Sequence, residues 1–336
     1  MTQRKEILDA ILEAERILDQ SEARKKIENG AGRVDVFDMI GNRDIPVMMR
    51  PLQGLLGAFI DDPADGVIVT TQRSLRIQRF TAAHELGHAV MHHTNSLDGK
   101  EILGRSAYSD GFDIKELQAN IFASHLLTPQ WLIAHHMRRQ GWKRDDLQDP
   151  MTVYQLALRI GSSYTATCYA LQDCKAITSG NCDKLLDVPV KKLKRQLVHP
   201  FEPHNWYGDV WLITERDDGL TLEGSRSDLV AFSLVEHSTS GFLWQFGDLV
   251  DAGMNIVADK HHENMPEDHV GGSAVRNVIA QSDFKTGTEA RINLSEIRPW
   301  QPNAEHLNSL ALDVGFCGPL RAGLLSMQRE ALLKSA

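Results

Sequence analysis

His84-Glu-Leu-Gly-His88 constrains this chain more than any other stretch. Residues four apart lie one above the other on the same helix face, so a helix there presents two imidazoles to one ion. The flanking residues support a helix, because Phe80, Ala83, Leu86, Ala89 and Val90 form an apolar stripe at helical spacing. Glu85 is turned about 100° from His84. That offset keeps its carboxylate out of the ligand set but beside a water on the ion, where it can act as general base. Gly87 inside the helix costs about 1 kcal/mol relative to alanine, which points to close approach of another backbone. The competing reading is a solvated helix face that matches this short pattern by chance.

A third donor has three candidates. His92 continues the row of histidines, but about 12 Å of helical rise separates it from His84. A third histidine in the extended pattern needs a glycine that breaks the helix, and Ala89-Val-Met91 has none. Glu116 opens a second predicted helix, Lys115–Thr128, which Pro129 ends. Glu116, Asn120 and Ala123 share one face of it, while Leu117, Ile121, Leu126 and Leu127 pack elsewhere. A His-His-Glu set leaves a fourth position for water, the arrangement of a catalytic rather than a structural zinc. Asn120, one turn from Glu116, can hydrogen-bond a ligand imidazole. Glu116 alone also reads as a surface glutamate.

The segment Arg79-Phe-Thr-Ala-Ala-His-Glu-Leu-Gly-His88, followed by Glu116-x-x-Ala-Asn-x-Phe-Ala-x-x-Leu-Leu-x-Pro129, resembles the ImmA/IrrE family of metallopeptidases. The resemblance covers roughly residues 1–185. It implies an α+β zincin-like peptidase domain with zinc held by His84, His88 and Glu116 and with Glu85 as general base. Members of that family cleave helix-turn-helix repressors and switch on mobile-element or stress-response genes. The resemblance therefore implies a protein substrate of that kind.

Composition sets outer limits. A chain of 336 residues is long enough for two or three domains. A net charge of −9 argues against bulk attraction to nucleic acid. No run of 18 apolar residues suggests a transmembrane helix, and Met1-Thr-Gln-Arg-Lys-Glu6 has no apolar signal core. Cys168, Cys174, Cys182 and Cys317 lack C-x-x-C spacing and are too scattered for a disulfide framework. Reduced thiols in a cytoplasmic protein are the expectation.

Along the chain, residues 4–28 read as one helix and 34–40 as a second, short one. Ile45–Arg50 reads as a strand. Gly57–Ile60 and Val67–Thr71 read as a hairpin around a turn-rich connection. An edge of that sheet beside the histidine helix can take up an extended peptide as an added strand, or the hairpin can simply pack on the helix. Residues 94–113 read as a loop, where Tyr108 is a candidate to stabilise an oxyanion and His92, His93 and His125 compete for that role. Residues 130–148 read as helical with a polar linker. Met151–Ile160, a glycine turn and Tyr164–Asp173 resemble a helix-turn-helix unit. Its second helix offers Thr165, Thr167 and Gln172 but no Arg or Lys before Lys175, so direct nucleic-acid binding is not expected. Lys184–Pro203, with the basic run Lys191–Arg195, reads as a linker.

Beyond residue 200 the periodicity changes to two. Candidate strands at 209–214, 220–222, 229–235, 243–246, 254–258, 274–279 and 288–294 suggest a β-sandwich. Val235–Trp244, Val270–Val275 and Ile297-Arg-Pro-Trp300 resemble the three loops of chagasin-like cysteine-protease inhibitors. That family presents them at one end of an immunoglobulin-like sandwich to block a papain-type cleft. The resemblance singles out Thr239, Gly241, Gly271, Gly272, Arg298 and Trp300 as partner-binding positions, and implies a cysteine-protease-like partner. His237-Ser238 stand where that family has Asn-Pro, and Phe242 where it has Tyr, which puts inhibition in doubt.

The expected division is a peptidase domain at 1–140, a helix-turn-helix-like segment and linker at 141–195, an all-β sandwich at 200–303 and a helical tail at 304–336, with a final helix at Leu320–Lys334. The expected activity is zinc-dependent peptide-bond hydrolysis, with the sandwich recruiting or regulating. The alternative is a binding protein that engages a papain-like protease through the sandwich loops.

Overall fold

The helix that carries both histidines runs through the middle of its unit. The computed structural model describes residues 2–62, 64–93, 96–98, 113–263, 274–282, 287–301 and 306–317. The chain divides into two compact units, one that takes in residues up to His136 and Leu156–Cys182, the other made of Met137–Gln155 and Asp183–Gly318.

In the first unit, α1 (Thr2–Gln20) and α2 (Ala23–Glu28) replace the single helix expected over 4–28, because Glu22 takes a left-handed φ of 51° between them. Ala10, Ala14, Ile17 and Leu18 give α1 its buried stripe. Next come α3 (Val36–Gly41), β1 (Val47–Arg50), β2 (Gly57–Ile60), β3 (Gly66–Thr70), α4 (Leu75–Val90), β4 (Ser96–Asp98) and α5 (Ile114–Leu127). The strands form one sheet in the order β1-β3-β2-β4. β2 and β3 are the expected hairpin, and β1 runs parallel to β3. The edge of β2 is already paired with β4, from Gly57↔Asp98 to Phe59↔Ser96. Its backbone groups are therefore not open to an added peptide, and β1 and β4 are the outer strands of the sheet among the described residues.

α4 packs on β2, β3 and α5. It is buried on every side rather than along one stripe, since Gln78, Arg79 and all of Thr81–Ala89 are buried. The expected close approach at Gly87 is present. A Cβ there would lie 3.0 Å from Phe122 Cδ1 and 3.2 Å from Ala119 Cα, both on α5. α4 ends in a Schellman turn: His92 adopts φ 57°, its N–H reaches Ala89 O, and His93 N–H reaches His88 O at 2.9 Å.

α6 (Gln130–Gln140), α7 (Pro150–Ile160) and α8 (Tyr164–Asp173) follow. Gly161 turns the chain between α7 and α8 at φ 71°, and Ser163 caps α8 by accepting from Ala166 N–H. Thr167 is buried and cannot face a duplex.

Residues 184–203 are not an extended linker. α9 (Ser179–Leu186) and α10 (Val190–Val198) span most of them. Val198 and Leu197 pack with Val210, Leu229, Ala231 and Ile279, so the basic run lies on a helix with one buried side. Lys194 of that run is itself buried, donating to Trp206 O at 3.2 Å and Gly208 O at 2.7 Å beside Asp209.

The remaining elements are β5 (Val210–Ile213), β6 (Leu220–Ser225), β7 (Leu229–Glu236), β8 (Leu243–Gln245), α11 (Gly247–Asp251), β9 (Met254–Glu263), β10 (Ala274–Ser282), β11 (Thr288–Ile297) and β12 (Asn308–Cys317). They form two four-stranded sheets, β5-β7-β10-β9 and β6-β12-β11-β8. β12 occupies part of the stretch expected as a helical tail. Leu310, Leu312, Val314 and Phe316 alternate on its buried face, and it pairs with β11 and β6. The final helix expected at 320–334 lies outside the described residues. No helix among the described residues is long and apolar enough to cross a membrane.

Candidate functional site

The Asp113 side chain caps α5 by accepting from Lys115 N–H, which sets Glu116 in the first turn, where the helix dipole favours a carboxylate. The close α4–α5 crossing at Gly87 brings that turn onto the histidine face. His84 Nε2 lies 3.1 Å from His88 Nε2 and 3.2 Å from Glu116 Oε2, and His88 Nε2 lies 3.4 Å from Glu116 Oε1. These three side chains form the group among the described residues whose ligand atoms all fall within 4.8 Å of one another and can hold a metal ion. Both histidines are buried and Glu116 is partly exposed, so the group opens on the carboxylate side.

The outer nitrogens are also engaged. Asn120 Oδ1 accepts from His84 Nδ1 at 3.2 Å. An oxygen can only accept, so the proton sits on Nδ1 and the lone pair of Nε2 faces the cluster. His88 Nδ1 meets His93 Nδ1 at 3.0 Å, with the two rings edge-on and 5.0 Å apart. Burial and the neighbouring His88 push the His93 imidazole down to about 4, so the ring is neutral at neutral pH.

Glu85 is fully buried one residue beyond His84 and belongs to no ligand set. Strand β2 passes directly over it: a Cβ at Gly57 would lie 2.5 Å from Glu85 Oε1 and closer still to Thr81 Cγ2. Gly57 was not singled out from sequence, and His93 was considered there only as an oxyanion stabiliser, not as a partner of His88. Gly57 is far away along the chain, and His93 depends on the left-handed turn at His92. His125 lies elsewhere, with its Nε2 2.6 Å from Glu15 Oε1. Tyr108 is outside the described residues.

Of the six loop positions, Gly271 and Gly272 are outside the described residues. The other two loops meet. Gly241, at φ 81°, lies against the Trp300 ring, which stays 64% exposed. Arg298 Nε donates to Ser240 O, and its guanidinium sits 4.4 Å over the Phe242 ring. Thr239 is exposed at the tip. Buried Glu296 anchors the base by accepting from His237 N–H at 2.6 Å and Asn308 Nδ2 at 2.7 Å. Buried Glu236 does the same from Trp244 N–H and Arg276.

Residues 42–172 match the family model of the IrrE N-terminal-like domain, a peptidase family, so the chain carries an IrrE-like peptidase domain across that stretch. A match of a second kind accompanies it. The chain is 29% identical over 111 residues to Amoebiasin-2 of Entamoeba histolytica, a span that takes in 32% of this chain and 86% of that protein. Two solved structures are also similar. The crystal structure of the cysteine protease inhibitor EhICP2 from Entamoeba histolytica is 26% identical, with a TM-score of 0.30, covering 34% of this chain and 100% of that one. The solution structure of Amebosin is 20% identical, with a TM-score of 0.26, covering 32% and 98%.

Proposed function

We propose that this chain is a zinc-dependent endopeptidase that cleaves a protein substrate, such as a helix-turn-helix transcriptional repressor. The observation that carries it is the convergence of His84 Nε2, His88 Nε2 and the Glu116 carboxylate at separations of 3.1, 3.2 and 3.4 Å. Tetrahedral zinc with bonds of about 2.0–2.1 Å sets neighbouring donors about 3.3–3.4 Å apart. Two imidazole lone pairs facing a carboxylate at that range repel unless a cation lies between them. The donor set therefore suits zinc, and the IrrE-like match over 42–172 supports a peptidase. The repressor substrate and a role in gene regulation rest on that family likeness. Free Cys168, Cys174 and Cys182 suit a reducing, cytoplasmic setting.

Zinc held by His84, His88 and Glu116 would supply Lewis-acid polarisation of the scissile carbonyl and of a water. Glu85 would take a proton from the attacking water and pass it to the leaving amine. Asn120 holds the His84 ring in the tautomer that turns Nε2 inward. Gly57 leaves the Glu85 carboxylate the room it occupies. The strand-rich unit recruits or regulates the substrate.

The zinc-loaded protein, incubated with a panel of purified helix-turn-helix repressors and with unfolded casein, is expected to give discrete fragments. They should vanish with a chelator and return with added zinc. Cleavage that survives chelation, or a zinc-loaded protein inert toward every substrate, counts against the proposal.

The loop cluster favours a second reading, in which the immunoglobulin-like sandwich proposed for the strand-rich unit binds a papain-like protease. Its support is the contact of Arg298 and Trp300 with the 237–242 loop and the likeness to Amoebiasin-2. Trp300→Ala is expected to weaken papain binding about 30-fold, the loss of an aromatic anchor worth about 2 kcal/mol. Wild type that does not bind papain at micromolar concentration removes this reading.

A further inference from the structure

We propose that His93 is a positioning residue for His88, accepting a hydrogen bond from His88 Nδ1–H so that Nε2 stays turned toward Glu116; this rests on the metal-centre reading above. The local chain conformation builds the contact. His92 takes the left-handed position of the Schellman turn, and the His93 N–H is tied to His88 O at 2.9 Å. That turn folds residue 93 back over residue 88, where such motifs commonly place an apolar contact. Here the contact is Nδ1 to Nδ1 at 3.0 Å. His93 is buried, and it lies on the side of the His88 ring away from the Nε2 cluster, so it is no ligand.

The contact continues outward. Gln118 of α5 hydrogen-bonds His93, and its Nε2 donates to Glu6 Oε2 of α1 at 2.7 Å. Each ligand histidine thus has one acceptor on its Nδ1, supplied by Asn120 for His84 and by His93 for His88. The second acceptor is held by a side chain on the same helix that carries Glu116. The α4–α5 pair that assembles the cluster therefore also orients the ring at its back. Outer partners of this kind fix tautomer and ring angle, and their loss costs about 10–100-fold in metal affinity.

Zinc affinity, read by competition with a chromophoric chelator at neutral pH, separates this role from packing. His93→Phe keeps a ring but no acceptor and is expected to bind zinc about 10–100-fold more weakly. His93→Asn offers Oδ1 close to the place of Nδ1 and is expected to restore most of that loss. Gln118→Leu leaves both imidazoles in place and is expected to lose affinity in the same direction by less. Circular dichroism and melting of each variant report the fold. A folded His93→Phe with wild-type affinity, or a His93→Asn that falls as far as His93→Phe, overturns the proposal. Should His93→Phe not fold, Gln118→Leu with unchanged affinity overturns it equally. A wild type that takes up no zinc overturns the metal-centre reading itself, and this inference with it.

Discussion

Glu85→Gln is expected to bind one zinc per chain, as wild type does, and to cleave roughly 10³-fold more slowly, within the range that general acid–base groups contribute. The substitution changes one carboxylate oxygen for an amide nitrogen and leaves the side-chain shape almost unaltered. Glu85 is fully buried beneath β2, with His84 and His88 on the neighbouring face of the same helix. It is outside the three-residue group that can hold the ion. Zinc content should therefore be unaffected, while the proton carrier is lost. Metal analysis and initial rates on the same preparation check both halves. Wild-type rates in a pure Glu85→Gln preparation would assign the proton transfer elsewhere.

Gly57→Ala is expected to reproduce much of that loss without replacing any group that reacts. The new methyl would sit 2.5 Å from Glu85 Oε1 and closer still to Thr81 Cγ2, both in the buried middle of α4. β2 is tied on both edges, to β3 and β4, so the strand cannot simply lift away. The side chain of Glu85 must turn aside, and misplacement of a reacting group by about 1 Å costs about 100-fold in rate. Overpacking of this kind also destabilises by about 1–3 kcal/mol. Rates measured on zinc-loaded, folded Gly57→Ala decide the matter. A folded variant within a few-fold of wild type would mean that Glu85 does not depend on the space Gly57 leaves.

The parts of this site that were legible in the sequence are those that local periodicity determines. The i and i+4 spacing of His84 and His88, the face shared by Glu116 and Asn120, and the close backbone contact at Gly87 all follow from helix geometry. The hairpin of β2 and β3 was legible for the same reason, from alternation and turn chemistry. The His93–His88 contact was hidden because it forms only through a left-handed residue, and the modest enrichment of histidine in that conformation does not announce it at His92. Gly57 was hidden because its role arises from a strand crossing a helix. Lys191–Arg195 looked like a solvated linker. One buried lysine with carbonyl acceptors and an apolar edge at Leu197 and Val198 make it a packed helix instead. β12 carried a clear alternation, but it lies beyond the Arg298-Pro-Trp300 loop, where the expected sandwich had already ended.

The central claim is that His84, His88 and Glu116 hold one ion. Elemental analysis of chelator-free wild type and of Glu116→Ala, purified side by side, tests it most directly. The account predicts one zinc per chain in the wild type and loss of most of it in the variant, with the fold of both intact by circular dichroism. A wild type without zinc, or a Glu116→Ala that keeps a full equivalent, would contradict it.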